Sequence, residues 1–262
     1  MSAQPFYTLD ISSSDCHFNL FVNDIPLLRF NKGGNISTEL PLNAFLLKNP
    51  NKISCEILPI KGQATIAEPA KVKISIIEGS IDGRIPGKSV ASFQAPSFVV
   101  SKTNPPKQAF KMDGSFAANI VSSSQLENGL SMVAGEKLKT ELFEKYQKLH
   151  QLFKEKDIAG VMKAMALKNA EYAAATGQPL SDVEYEMRKD YTAHVNDASY
   201  ELWEFTPDKV FLKLYNNNRL ACLEVQNGNQ PLCFVNRTDH IAMYLPVYFF
   251  RNPKFNTLEV IR

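Results

Sequence analysis

Residues 137–154 read KLKTELFEKYQKLHQLFK, and within them Leu138, Leu142, Tyr146, Leu149 and Phe153 recur at the spacing of one helical face. Lys139, Glu144, Lys145 and Lys148 fall between them, so the stretch predicts an amphipathic helix with one side in a core. Upstream the rhythm is different. Ahead of residue 130 the apolar residues alternate one by one in short runs, and that change of period implies two cores. The expected units are residues 1–130 and 131–262.

The front half carries the strand signals. Phe6-Tyr7-Thr8-Leu9-Asp10-Ile11 and His17-Phe18-Asn19-Leu20-Phe21-Val22 are separated by the turn formers Ser12-Ser13-Ser14-Asp15, and in the second run Phe18, Leu20 and Val22 share one face. Ile25 to Phe30 predicts a further strand, placed at a sheet edge because Pro26 cannot donate to a ladder. Ile53 to Leu58 alternates as well. Lys71 to Glu78 gives the strongest signal, with Val72, Ile74 and Ile76 inward and Lys71, Lys73 and Ser75 outward. Phe116 to Val121 is expected as the last strand, between linker-like stretches at 101–107 and 122–125. Short strands at this spacing suggest an antiparallel, immunoglobulin-like sandwich, and the phrase from Phe21 to Leu58 also resembles jelly-roll modules.

Behind the long helix, Asp157 is placed to cap a second one carrying Ile158, Val161, Met162, Met165 and Ala166, with Gly177 and Pro179 as its stop. Ser181-Asp182-Val183-Glu184 has the form of a capping box, from which a third helix runs toward Val195. The period then returns to two. Tyr200 to Phe205, Val210 to Tyr215, Leu220 to Val225, Leu232 to Phe234, Ile241 to Phe250 and Leu258 to Ile261 are strand candidates divided by turn material. Three helices followed by a bent antiparallel sheet resemble the nuclear-transport-factor-2-like or cystatin-like architecture, which implies a cone enclosing a pocket. The fold class expected is therefore α+β, an N-terminal β-sandwich followed by a C-terminal α+β cone of three helices on a curved antiparallel sheet.

Composition narrows the function. With 29 Lys+Arg against 27 Asp+Glu the chain has no basic excess to attract a nucleic acid. No apolar run approaches the roughly 18 residues of a membrane span, and Met1 to Phe6 shows no basic n-region, so a cytoplasmic protein without a membrane partner is expected. Cys16, Cys55, Cys222 and Cys233 lie far apart in apolar runs and read as reduced, packed thiols. No phosphate loop, paired metal ligands or nucleophile elbow occurs, so neither a cofactor nor a catalytic set is expected.

Two features suit a partner instead. Asp182, Glu186 and Asp190 stand at i, i+4 and i+8, stacking three carboxylates on one helical face, which reads first as a solvated face moderated by Arg188 and Lys189 and, more sharply, as an acidic ridge where a basic surface could dock. Trp203, the single tryptophan, is the other candidate contact, since such rings anchor interfaces, although its strand setting equally fits core packing. The layout, with the phrases Val22 to Leu27, Tyr146 to His150 and Leu258 to Arg262, resembles bacterial two-domain proteins associated with polymorphic toxins and type VI secretion. That resemblance implies an immunity protein that binds and neutralises a cognate toxin. The competing readings are an enzyme or ligand binder using the cone pocket, with His194, His240 or Glu204 as acid/base groups, and a secretion-system adaptor.

Overall fold

A computed structural model describes residues 5–81, 84–120, 125–236, 238–239 and 241–261, and divides the chain into two compact units, Met1–Ser123 and Ser124–Arg262. The protein is α+β, with strands first and helices plus sheet afterwards. The first unit holds β1 (Phe6–Ser14), β2 (His17–Val22), β3 (Ile25–Phe30), β4 (Ile36–Pro41), β5 (Asn51–Leu58), β6 (Lys71–Gly79), β7 (Lys88–Gln94) and β8 (Phe110–Phe116). They form two antiparallel sheets of order β4-β1-β6-β7 and β3-β2-β5-β8. Pro26 thus sits on an edge strand, as its missing N–H requires.

Alternation fixes what each strand buries. Tyr7, Leu9 and Ile11 of β1, Phe18, Leu20 and Val22 of β2, and Val72, Ile74 and Ile76 of β6 belong to one cluster of buried side chains drawn from both sheets. Gly114 on β8 shows how closely the sheets approach. A Cβ there would lie 2.1 Å from the Phe93 ring of β7, so only bare backbone leaves room for that ring.

The strand expected at Phe116 to Val121 is not formed, and the last strand of this unit is β8, which ends at Phe116. Side chains have taken the groups a ladder would use: Asn49 Oδ1 accepts from the Ala118 N–H at 2.7 Å, its Nδ2 donates to the Ala118 carbonyl at 3.1 Å, and the Tyr7 hydroxyl accepts from the Asn119 N–H at 2.8 Å. Val121 lies outside the described residues.

The second unit opens with a 3-10 turn at Gln125–Asn128 and then α1 (Glu136–Lys154), α2 (Ile158–Ala164), α3 (Ala166–Thr176) and α4 (Leu180–Asn196). The apolar stripe of α1 is buried throughout, from Leu138 to Phe153, each such side chain contributing about 1.5–3 kcal/mol. Tyr146 is fully enclosed, and its hydroxyl reaches the Val247 carbonyl at 2.7 Å and Gln230 Oε1 at 3.0 Å. Asp157 caps α2 by accepting from the Gly160 N–H at 2.8 Å, and Gly177 ends α3 in the left-handed conformation.

Two helical expectations are corrected. Among the described residues four α-helices occur rather than three, because the backbone leaves helical geometry at Met165 (φ −94°, ψ 2°) and separates α2 from α3. The capping box at Ser181 is absent: α4 starts at Leu180 with Pro179 as N-cap, so Ser181 is already inside the first turn and its hydroxyl donates to Asp182 Oδ1 at 3.2 Å.

The remaining strands are β9 (Glu201–Leu202), β10 (Phe211–Tyr215), β11 (Leu220–Glu224), β12 (Cys233–Asn236), β13 (Ile241–Tyr244), β14 (Phe249–Arg251) and β15 (Leu258–Val260). They make two antiparallel sheets, β10-β11-β14-β15 and β13-β12-β9, where one was expected. Pro246 divides the run from Ile241 to Phe250, having no N–H for a ladder. Arg251 ties β14 to α1 through Glu141, with Nη2 at 2.6 Å from Oε2 and Nη1 at 3.4 Å from Oε1.

Two outcomes follow from these environments. Asn51→Ala should lower unfolding stability by about 2–4 kcal/mol in urea titrations, because Asn51 is wholly buried and serves both backbone groups of Leu47 and the Asn23 amide; a loss below about 0.5 kcal/mol would show that the amide does not hold this loop. The four cysteines are free and buried, and burial pushes the Cys16 and Cys233 thiols up to about 11 and Cys55 up to about 12. At pH 8 a thiol reagent should label none of them within minutes in the native state and all four in urea.

Candidate functional site

Helix α4 is held by its inner face. Val183 and Tyr191 are buried, Met187 and Val195 are packed against the same core, and the Tyr191 ring meets Phe153 edge-on at 5.5 Å. Helical spacing then turns Asp182, Glu186 and Asp190 outward, and all three are exposed. Tyr185, one position before Glu186, is also exposed, at 65%, beside this row of carboxylates on the solvent side of the helix. The sequence reading missed Tyr185 because it followed charge alone. Its position off the Val183–Met187–Tyr191 stripe was the available signal.

Arg188 and Lys189 bring positive charge to the exposed side of α4, and Lys189 Nζ lies 3.8 Å from Glu186 Oε2 with both side chains mostly in solvent. Such a pair is loose and screened. The exposed side of the helix therefore offers three carboxylates, an arginine, a lysine and a protruding phenol.

Trp203 is not part of it. It follows β9, half-buried, with its ring stacked on Phe205 at 6.2 Å and its backbone N–H donating to the Cys233 carbonyl at 2.9 Å. The Trp203 carbonyl is 3.2 Å from Nε2 of His150, which is itself buried and meets Phe205 edge-on. Glu204 Oε2 lies 3.6 Å from the same nitrogen, while Glu204 Oε1 accepts from Lys154 Nζ at 2.9 Å. Burial holds the His150 pKa below its ordinary 6.5 against the pull of Glu204, so near neutrality Nε2 carries the proton and donates to the Trp203 carbonyl. The Lys154 ammonium holds the Glu204 carboxyl below its usual range.

His194 lies one turn past Asp190, with Nδ1 2.6 Å from the Asp190 carbonyl, an arrangement suited to a helix C-terminus. Asp239 accepts from Asn236 Nδ2 at 3.0 Å. His240 lies outside the described residues. Among the described residues no three His, Cys, Asp or Glu side chains are grouped to hold a metal ion, and no helix is long and apolar enough to cross a membrane.

The described residues also form concavities, one in each unit among them. In the first unit a polar cleft of about 610 Å³ is lined by Ser12, Ser13, Ser14, Asn35, Lys71 and Gln94 among others. In the second unit a pocket of about 360 Å³ opens between α1, the α2–α3 break and the β14–β15 pair. Leu149, Phe249, Leu258 and Val260 supply apolar lining, and Lys145, Lys148, Lys163 and Glu259 supply charge. The sequence placed Lys145 and Lys148 on wet helical faces but gave no sign that β15 returns beside them. No protein-family model, curated protein or solved structure matches the chain.

The His150 environment fixes a pH response. A histidine whose folded pKa is depressed leaves the unfolded state holding more protons, so its contribution to stability is complete above 6.5 and is lost as pH falls toward the folded value. Urea midpoints should decline as pH drops below 6.5, and His150→Gln, which retains a donor for the Trp203 carbonyl, should flatten that decline. Equal pH profiles for the two proteins would assign the response elsewhere.

Proposed function

We propose that this chain is a non-enzymatic binding protein that docks a basic protein surface on the outer face of α4, and that in the toxin–immunity setting its layout resembles, the partner is a cognate toxin. The observation that supports the reading is Tyr185, an exposed aromatic ring on the same helix as the exposed Asp182, Glu186 and Asp190, the inner face of that helix being fixed in a core. Aromatic anchors dominate contact energy, and flanking carboxylates steer and orient a cationic partner. A rigid helix presents both without an ordering cost at the moment of binding.

The same reading takes the first unit as a β-sandwich of immunoglobulin or jelly-roll kind and the second as a cone of nuclear-transport-factor-2 kind. In such a protein Trp203 and His150 serve the interior, and the docking surface is the α4 ridge alone.

Co-expression with the toxin candidates encoded beside it tests the proposal. The wild-type chain should rescue growth and form a complex whose affinity falls with salt. Combined Asp182→Lys, Glu186→Lys and Asp190→Lys changes, or Tyr185→Ala alone, should weaken that complex by about tenfold or more, while His194→Ala leaves it intact. A complex indifferent to both α4 variants would move the interface elsewhere. Failure to bind any candidate, or a turnover lost in His194→Ala, would remove the immunity reading.

A further inference from the structure

The pocket of the second unit has features that docking on α4 does not use. Its apolar lining is not surface: Leu149, Phe249, Leu258 and Val260 are core side chains between 1% and 5% exposed, so the depression reaches the layer shared by α1, β14 and β15. Ala164 and Ala166 stand on either side of Met165, and their small side chains leave space where α2 gives way to α3. A volume of about 360 Å³ falls within the range of small-ligand sites, roughly 300–1,000 Å³.

The charged groups are unevenly matched. Lys145, Lys148 and Lys163 line the pocket, and none of them has an ion pair or hydrogen bond among the described residues. The one carboxylate present, Glu259, is occupied on Oε1 by Asn252 Nδ2 and Thr257 Oγ1, each at 3.0 Å. Three lysines and a single partly engaged carboxylate therefore line the pocket around its apolar residues. Lysine stems can also cover apolar surface while their heads stay wet, which suits the edge of a hydrophobic slot.

We propose that this pocket binds a small amphiphilic anion, an acyl chain on the floor of Leu149, Phe249, Leu258 and Val260 with its carboxylate among Lys145, Lys148 and Lys163. Core depth favours a methylene chain over a peptide segment, whose backbone would bring polar groups that the apolar floor cannot satisfy. The inference is independent of the α4 ridge, since none of the pocket residues lies on α4.

Calorimetric titration of the full chain with decanoate, and with decanol as the neutral control, tests it. Decanoate should bind one site, more tightly than decanol and less tightly as salt rises. Replacing Lys145, Lys148 and Lys163 together by Gln should weaken decanoate by about tenfold and leave decanol unchanged. Ala164→Phe, built to fill the slot, should abolish both; melting curves establish that each variant is folded, and the triple Gln variant carries the test if Ala164→Phe is not. Reversal of the α4 carboxylates should change nothing here, which separates this site from the docking surface. Absent or multi-site uptake, equal binding of decanoate and decanol, or decanoate binding untouched by the triple Gln variant would overturn the proposal.

Discussion

A buried backbone has to find partners for every N–H and C=O, and in the first unit that requirement falls on asparagine. Asn51 takes the Leu47 N–H on its Oδ1 and gives its Nδ2 to the Leu47 carbonyl, while Asn23 donates to the same Oδ1 and to the Phe45 carbonyl. Asn23 Oδ1 in turn accepts from the Lys52 N–H, and Asn43 accepts from the Tyr7 N–H and donates to the Pro5 carbonyl. The segment between β4 and β5 is thereby fastened to the starts of β1 and β5 and to the turn after β2. Each amide supplies both a donor and an acceptor, which no apolar residue could replace without orphaning several groups.

In the second unit the comparable demand is met around Tyr146. Apart from His150, the face that α1 buries is apolar except for this hydroxyl, and burial raises its pKa well above the ordinary value, so it remains a neutral donor. Its partners, Gln230 and the Val247 carbonyl, lie in segments that flank β12 and β14. Pro246 interrupts the strand next to them, and the carbonyls freed there accept from Tyr146 and from Lys168. A phenol in the middle of the helix thus satisfies a carbonyl at the point where the proline interrupts the strand.

These interactions also explain what the sequence disclosed. Runs with strict alternation, such as Val72, Ile74 and Ile76, and the heptad-like stripe of α1 announced their burial correctly, because period alone decides which side chains share a face. Strands β4 and β7 passed unnoticed, since Ile36 to Pro41 and Lys88 to Gln94 are mostly polar or exposed edge strands with one weakly apolar face. The false strand after β8 was an apolar run whose backbone is claimed by Asn49 and Tyr7, partners distant in sequence. The ridge on α4 was legible as charge spacing. The pocket was not, because it needs β15 beside α1 and α3, a long-range pairing that no local pattern encodes.

The pattern on α4 is not one that helix stability asks for. Asp182 in the first turn suits the positive end of the dipole, but Asp190 lies toward the negative end, and like charges at i and i+4 each oppose the helix by about 0.2–0.5 kcal/mol. The ion pair of Lys189 with Glu186 is long and solvent-exposed. Tyr185 adds a ring left 65% in water. Each feature costs little, and the approach of a cationic surface with an apolar hollow for the ring would relieve them together, which is the physical basis of the docking proposed for α4.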